Sequence, residues 1–212
     1  MYYLSQALFF PPVNQANREG ILAIGGDLSP ERLLLAYQSG IFPWFNPEEP
    51  IIWWSPDPRM VLFPDDLLIS KSMRKVLNQN IFTVTFNQNF LAIITSCQNI
   101  QRNGQIGTWI SDEMINAYCE LHELGYAKSV EVWQNETLVG GLYGVDLGNI
   151  FCGESMFSKV SNASKVAFIA LTNQLKEQNY HLIDCQVYNT HLESLGCKEI
   201  TRADFMNILN TK

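Results

Sequence analysis

Hydrophobic and polar positions fall into two regimes along this chain. Up to about residue 60, apolar residues come in short aromatic clusters broken by proline and glycine; beyond it, period-2 and helical spacings alternate. In the first regime, Ser29-Pro30-Glu31 supplies an N-cap, a proline at the first helical position and an early acid. Gly40 then closes a helix expected over residues 30–39, which carries Leu33, Leu34 and Tyr37. Two aromatic segments follow, at 41–45 and 51–54, and Pro47, Pro50, Pro56 and Pro58 hold them to short or edge strands.

In the second regime, Ser70 caps a helix through Met73 and Leu77, a strand is expected over 81–86, and helices over 88–98 and 111–124, the latter stopped by Gly125. The period then switches to two: residues 128–133, 137–145 and 150–155 read as strands joined by turns at 134–136 and 147–149. A helix over 162–178, a strand over 182–187, a short helix near 190–195 and a helix capped by Thr201 and Asp204 complete the pattern. A meander, a crossover helix and a further strand predict an α+β fold. A small N-terminal α+β domain is expected over residues 1–60 and a larger mixed-sheet domain, flanked by helices, over 61–212.

Composition narrows the function classes. With 47% hydrophobic residues, a chain of 212 builds a core without staples, and 12% aromatic against 17% charged residues suits apolar pockets. Fourteen Lys and Arg against 21 Asp and Glu give a net charge of -7, so a nucleic-acid partner must dock on a local basic patch. The cysteines at 97, 119, 152, 185 and 197 lack paired metal-ligand spacing and are expected to be reduced thiols. The histidines at 122, 181 and 191 have no partner at ligand spacing, so no metal is expected. Without a leader-like N-terminus or an apolar run of membrane-spanning length, a cytoplasmic monomer free of membrane contact is the expectation.

The densest chemistry lies between residues 150 and 187. Glu154 stands beside Met156 and Phe157 in an apolar segment, and strand alternation would project Asp184 and Gln186 from one face of an apolar strand. Buried carboxylates are costly unless hydrogen-bonded or used. Two acids and an amide converging on apolar walls therefore point to a site.

Seven motifs carry a resemblance: Gly25-Gly26-Asp27-Leu28-Ser29, Gly40-Ile41-Phe42-Pro43-Trp44-Phe45, Trp53-Trp54-Ser55-Pro56-Asp57-Pro58-Arg59, Thr108-Trp109-Ile110, Leu138-Val139-Gly140-Gly141-Leu142-Tyr143-Gly144, Gly153-Glu154-Ser155-Met156-Phe157-Ser158 and Leu182-Ile183-Asp184-Cys185-Gln186. In this order, over nearly the whole chain, they resemble the leucyl/phenylalanyl-tRNA-protein transferase family. The resemblance implies a bacterial enzyme that moves Leu or Phe, sometimes Met, from aminoacyl-tRNA to the N-terminal amine of proteins starting with Arg or Lys, marking them for N-end-rule degradation. It also implies an acetyltransferase-like (GNAT-like) fold from about residue 60 and no cofactor. Lys128 departs from the family's usual histidine, and the chain stops soon after the Thr201 helix, where relatives often carry a tail.

An aminoacyl ester is already activated, so transfer to an amine needs positioning, a neutral nucleophile and help for the leaving oxygen. With that resemblance, Asp184 is the candidate to orient the amine and take its proton, although the ribose 2′-hydroxyl is an alternative relay. Gln186 is the candidate to hydrogen-bond the amine or polarise the ester carbonyl. Glu154 either complements the acceptor's basic side chain or braces Gln186. Trp44 and Trp109, backed by Leu142, Phe151 and Met156, are expected to form the donor pocket or to stack on the terminal adenine. Lys71, Arg74 and Lys75, three cations in five residues, are the candidate contacts to tRNA phosphates, with a solvated helix face as the alternative. Arg59 is expected to pair with an acid across the two domains.

Two rival readings remain at this point. An acyl-CoA N-acetyltransferase would share the fold, but residues 158–164 lack the glycines that usually cradle the CoA pyrophosphate at the crossover helix. A non-catalytic RNA-binding module would keep only the aromatic and basic contacts.

Overall fold

The computed structural model describes residues 2–100 and 108–211. In chain order they form β1 (Tyr2–Leu4), β2 (Ile21–Gly25), α1 (Pro30–Gln38), β3 (Phe42–Pro43), β4 (Ile52–Trp54), β5 (Arg59–Leu62), α2 (Lys71–Asn78), β6 (Thr83–Phe86), α3 (Phe90–Asn99), α4 (Asp112–Glu123), β7 (Ala127–Gln134), β8 (Thr137–Asp146), β9 (Ile150–Ser158), α5 (Ala163–Glu177), β10 (Leu182–Gln186), α6 (Thr190–Glu193), β11 (Lys198–Ile200) and α7 (Arg202–Leu209). The hydroxyls of Ser70, Ser111 and Thr201 cap α2, α4 and α7 by accepting from the backbone N–H three residues on. At α1 the Ser29 hydroxyl donates to Asp27 instead, and Pro30 alone starts the helix. Strand β9 runs three residues beyond its expected end, to Ser158. Strands β1, β2, β5 and β11, of three to five residues, were not expected from the sequence pattern.

The strands build two sheets, a four-stranded one in the order β1-β2-β4-β3 and a seven-stranded one in the order β11-β5-β10-β9-β8-β7-β6. In the larger sheet β9 and β10 are parallel, joined by α5, and the other neighbours are antiparallel, which is a mixed α+β arrangement. Helices α2 and α5 pack on one face, through Met73, Val166, Phe168 and Leu171, against Leu62, Val130, Leu142 and Ile183. Gly140 permits this approach, since a Cβ there would fall 2.5 Å from that of Ala163. The opposite face meets α3 and α4 in a core that runs on, through Tyr37, Trp53 and Phe205, into the smaller sheet. The chain's last helix thus packs on its first part: Gly40 lies under Phe205 and Met206, while Arg202 bonds to Asp57 and to the Ser55 carbonyl. No helix among the described residues is long and apolar enough to cross a membrane.

Candidate active site

Two irregularities in the larger sheet shape the site. Along β10 and β5, Asp184 pairs with Val61 and Gln186 with Met60, which leaves Cys185 as the extra residue of a bulge. Along β9 and β8, Gly153 pairs with Gly144 and Ser155 with Tyr143, which leaves Glu154 extra in a second bulge. A bulge breaks the alternation of side chains and re-aims those beside it. Gln186 accordingly has φ of 65°, a left-handed conformation uncommon for a residue with a side chain, held by its N–H donating to Asp184 Oδ1 at 2.9 Å.

The three polar groups separate into two clusters. Asp184 is fully buried, and both of its carboxylate oxygens are taken by Arg59: Nε donates to Oδ1 at 2.8 Å and Nη2 to Oδ2 at 2.7 Å. The guanidinium lies between the rings of Phe42 and Phe205, 4.7 Å from each centroid, and Nη1 donates to the Gly40 carbonyl at 3.3 Å. In the second cluster, Gln186 Nε2 donates to Glu154 Oε1 at 2.7 Å and the Tyr118 hydroxyl donates to Oε2 at 3.2 Å. Tyr37, from α1, hydrogen-bonds in turn to Tyr118, from α4. Burial lifts the Glu154 carboxyl to about 7; the hydrogen bonds from Tyr37, Gln186 and Tyr118 act against that rise, and the charge of Asp184 adds to it. Burial and the Glu154 charge push both phenols well above the ordinary tyrosine range, so they stay donors.

Glu154 and Gln186 line a cavity of about 430 Å³. Its walls are Leu142, Phe151, Met156, Phe168, Leu171 and Ile183, with Trp44 and Trp109 also on its lining. Such a space, apolar with a few convergent polar groups, has the size and character of a small-molecule site.

A family model described as Leucyl/phenylalanyl-tRNA protein transferase matches residues 61–210, and the model of that family's N-terminal domain matches residues 26–57. The chain belongs to this family. The leucyl/phenylalanyl-tRNA–protein transferase of Flavobacterium johnsoniae is 72% identical over 212 residues, covering 100% of both chains. That of Syntrophus aciditrophicus is 56% identical over 206 residues, covering 97% of this chain and 86% of the relative. Among solved structures, a GCN5-related N-acetyltransferase from Kribbella flavida is similar with a TM-score of 0.39 and 11% identity, over 80% of this chain and 60% of that one.

In this member of the transferase family the cavity gathers Trp44, Trp109, Leu142, Phe151, Glu154, Met156 and Gln186, all expected from the sequence. Trp44 is 41% exposed, which leaves ring surface available for stacking, and it tilts against Trp54, 5.4 Å away between centroids; Trp109 is buried. Asp184 departs from expectation. It does not line the cavity, because the Cys185 bulge turns Gln186 away from the simple alternation and the Arg59 fork holds the carboxylate inside the sheet. Arg59 is the first residue of β5 in the larger sheet, so it ties Asp184 to Gly40 and Phe42 from within that sheet. Lys71, Arg74 and Lys75 lie exposed on α2 at spacings of three and four, hence on one helix face, and do not line the cavity. Phe168, Leu171 and Ile183 had gone unrecognised; the first two are an i, i+3 pair on α5 whose apolar spacing signals a buried face without saying what it faces.

Proposed function

We propose that this chain transfers Leu, Phe or Met from aminoacyl-tRNA to the N-terminal amine of acceptor proteins that start with Arg or Lys, as a cytoplasmic monomer in bacterial N-end-rule degradation. The observation that carries the reading is the Glu154–Gln186 hydrogen bond on the wall of an apolar cavity, in a chain of the transferase family. The donor side chain occupies the space between Leu142, Phe151, Met156 and Ile183. An apolar pocket separates similar hydrophobic groups only weakly, by about 1–3 kcal/mol per methylene, so it accepts several such donors. Trp44 and Trp109 flank the terminal adenosine, and Lys71, Arg74 and Lys75 attract the tRNA backbone.

The acceptor amine, with a reference pKa of about 8, arrives largely as ammonium. The Glu154 carboxylate, whose pKa near 7 suits exchange with such a group, takes its first proton. Because the Gln186 amide nitrogen is engaged by Glu154, its carbonyl oxygen is the free acceptor that orients the amine. The nitrogen then attacks the ester carbonyl carbon, a C–N bond forms and the C–O bond to the ribose breaks. The departing ribose oxygen takes the second amine proton. Asp184 acts one step back, fixing the bulge from which Gln186 projects. Incubation with Phe-tRNA and an Arg-starting peptide should add the mass of one Phe, and a peptide with an acetylated N-terminus should gain none; an unmodified Arg peptide would overturn the reading.

A further inference from the structure

Cys185 and Cys197 bring their sulfurs to 3.7 Å of each other, close enough for one thiol to donate to the other. Their backbones flank β5 from its two sides. Cys185 is the extra residue of the β10 bulge, and Cys197 directly precedes β11, whose Lys198 pairs with the same Val61 that pairs with Asp184. The thiols therefore meet over β5, on the side of the sheet that carries α5. Cys185 also lines the cavity that holds Glu154 and Gln186, so a small molecule entering there reaches its sulfur; Cys197 is buried. The transfer chemistry uses neither thiol. A dithiol in the wall of a reaction cavity, next to the residue that orients the nucleophile, is open to a two-electron oxidant.

We propose that Cys185 and Cys197 form an oxidisable pair, which a hydroperoxide closes to a disulfide, switching transfer off until a thiol reductant reopens it. The Cys185 sulfur takes an oxygen atom from hydrogen peroxide, whose O–O bond breaks and releases water. The Cys197 sulfur then attacks that sulfenic acid, an S–S bond forms and a second water leaves. Together the thiols give up two electrons and two protons, and the peroxide accepts both. The hydrogen bond to Cys197, and burial, push the Cys185 thiol well above its ordinary range, so the reduced pair outlasts brief exposure and closes under sustained oxidation. Bonded sulfurs sit about 2 Å apart, so closure draws the two chains together over β5. The bulge yields first, because the pairing with β5 skips Cys185, whereas β11 is held by its own pairs from Lys198 onward. Gln186 follows, since its left-handed conformation rests on the hydrogen bond to Asp184 within that bulge. A reacting group misplaced by about 1 Å costs about 10²-fold in rate.

The test incubates the reduced, full-length protein with hydrogen peroxide for hours and then assays Phe transfer to the Arg peptide. Wild type should lose the mass of two hydrogens, yield a cross-linked peptide joining residues 185 and 197, and fall about 10²-fold in kcat/KM, with dithiothreitol reversing all three. Cys197→Ala and Cys197→Ser remove the second thiol and should keep their activity through the same treatment. Absence of the 185–197 link overturns the proposal, and so does a linked protein of undiminished activity. Variants at Cys197 that are inactivated as fast as wild type overturn it too. The chemistry of the thiols is independent of the aminoacyl-transfer reading, on which only the activity readout rests. If reduced wild type transfers no Phe, that reading falls, and the switch is judged by hydrogen exchange. Linkage should then speed exchange of the Gln186 N–H, which the reduced protein bonds to Asp184, and an unchanged rate overturns it.

Discussion

Asp184 and Glu154 are two carboxylates beside two bulges of one sheet, and their surroundings give them opposite characters. Asp184 is closed off from the cavity and meets a full positive charge through two parallel hydrogen bonds. Among the described residues Glu154 meets neutral donors, two phenols and an amide, so desolvation is not offset and its affinity for a proton rises. A compensated buried charge is rigid and inert, whereas an uncompensated one beside a cavity is poised to exchange a proton near neutrality. The D-x-Q sequence of β10 therefore divides in two, the acid anchoring inside the sheet and the amide facing the cavity.

The largest expected effect separates the two acids by rate. Glu154→Gln should lower kcat/KM for the Arg peptide by about 10²–10⁴, the span that a general base contributes, with the fold intact by circular dichroism. Asp184→Ala should show its loss first in stability, about 3–5 kcal/mol in urea melts, because it strands the Arg59 charge in the interior. Replacing both partners, Arg59→Met with Asp184→Leu, should restore much of that stability while transfer stays low, since the Gln186 N–H has lost its acceptor.

Acidity draws a finer distinction. In the wild type kcat/KM should climb about tenfold per pH unit up to the Glu154 pKa of about 7 and fall again above the acceptor amine's own pKa of about 8; in Glu154→Gln the lower break should vanish. The sign for stability is the reverse. The folded state holds the Glu154 proton more tightly than the unfolded chain, whose carboxyl titrates near 4.5, so this group's contribution is present at pH 4 and lost as pH rises to 7. The Tm of Glu154→Gln relative to wild type should therefore increase between pH 5 and pH 8. The smallest effect belongs to α2: replacing Lys71, Arg74 or Lys75 by Ala should reduce the slope of log affinity for tRNA against log salt by about 1 each and leave the pH profile unmoved.

The elements around this site were legible in the sequence to the extent that their signals are local. Ser70, Ser111 and Thr201 announced helix starts that the structure uses, and alternation over residues 128–155 gave the meander. What the sequence concealed is set at long range. The Arg59–Asp184 pair spans 125 positions, and nothing near residue 185 marks the extra residue that spoils the alternation. Glu154, Gln186 and the apolar walls could be named because a polar group in an apolar segment is conspicuous. Their division of labour could not, because it depends on which neighbour a carboxylate meets after folding.

The Arg59 clasp also bears on when the protein becomes competent. Its guanidinium is gripped by rings at positions 42 and 205, and its acid partner is residue 184. A polypeptide emerging from the ribosome therefore holds the early half of the clasp long before the late half exists. Until Phe205 has cleared the exit tunnel, the bulge that aims Gln186 has only part of its support.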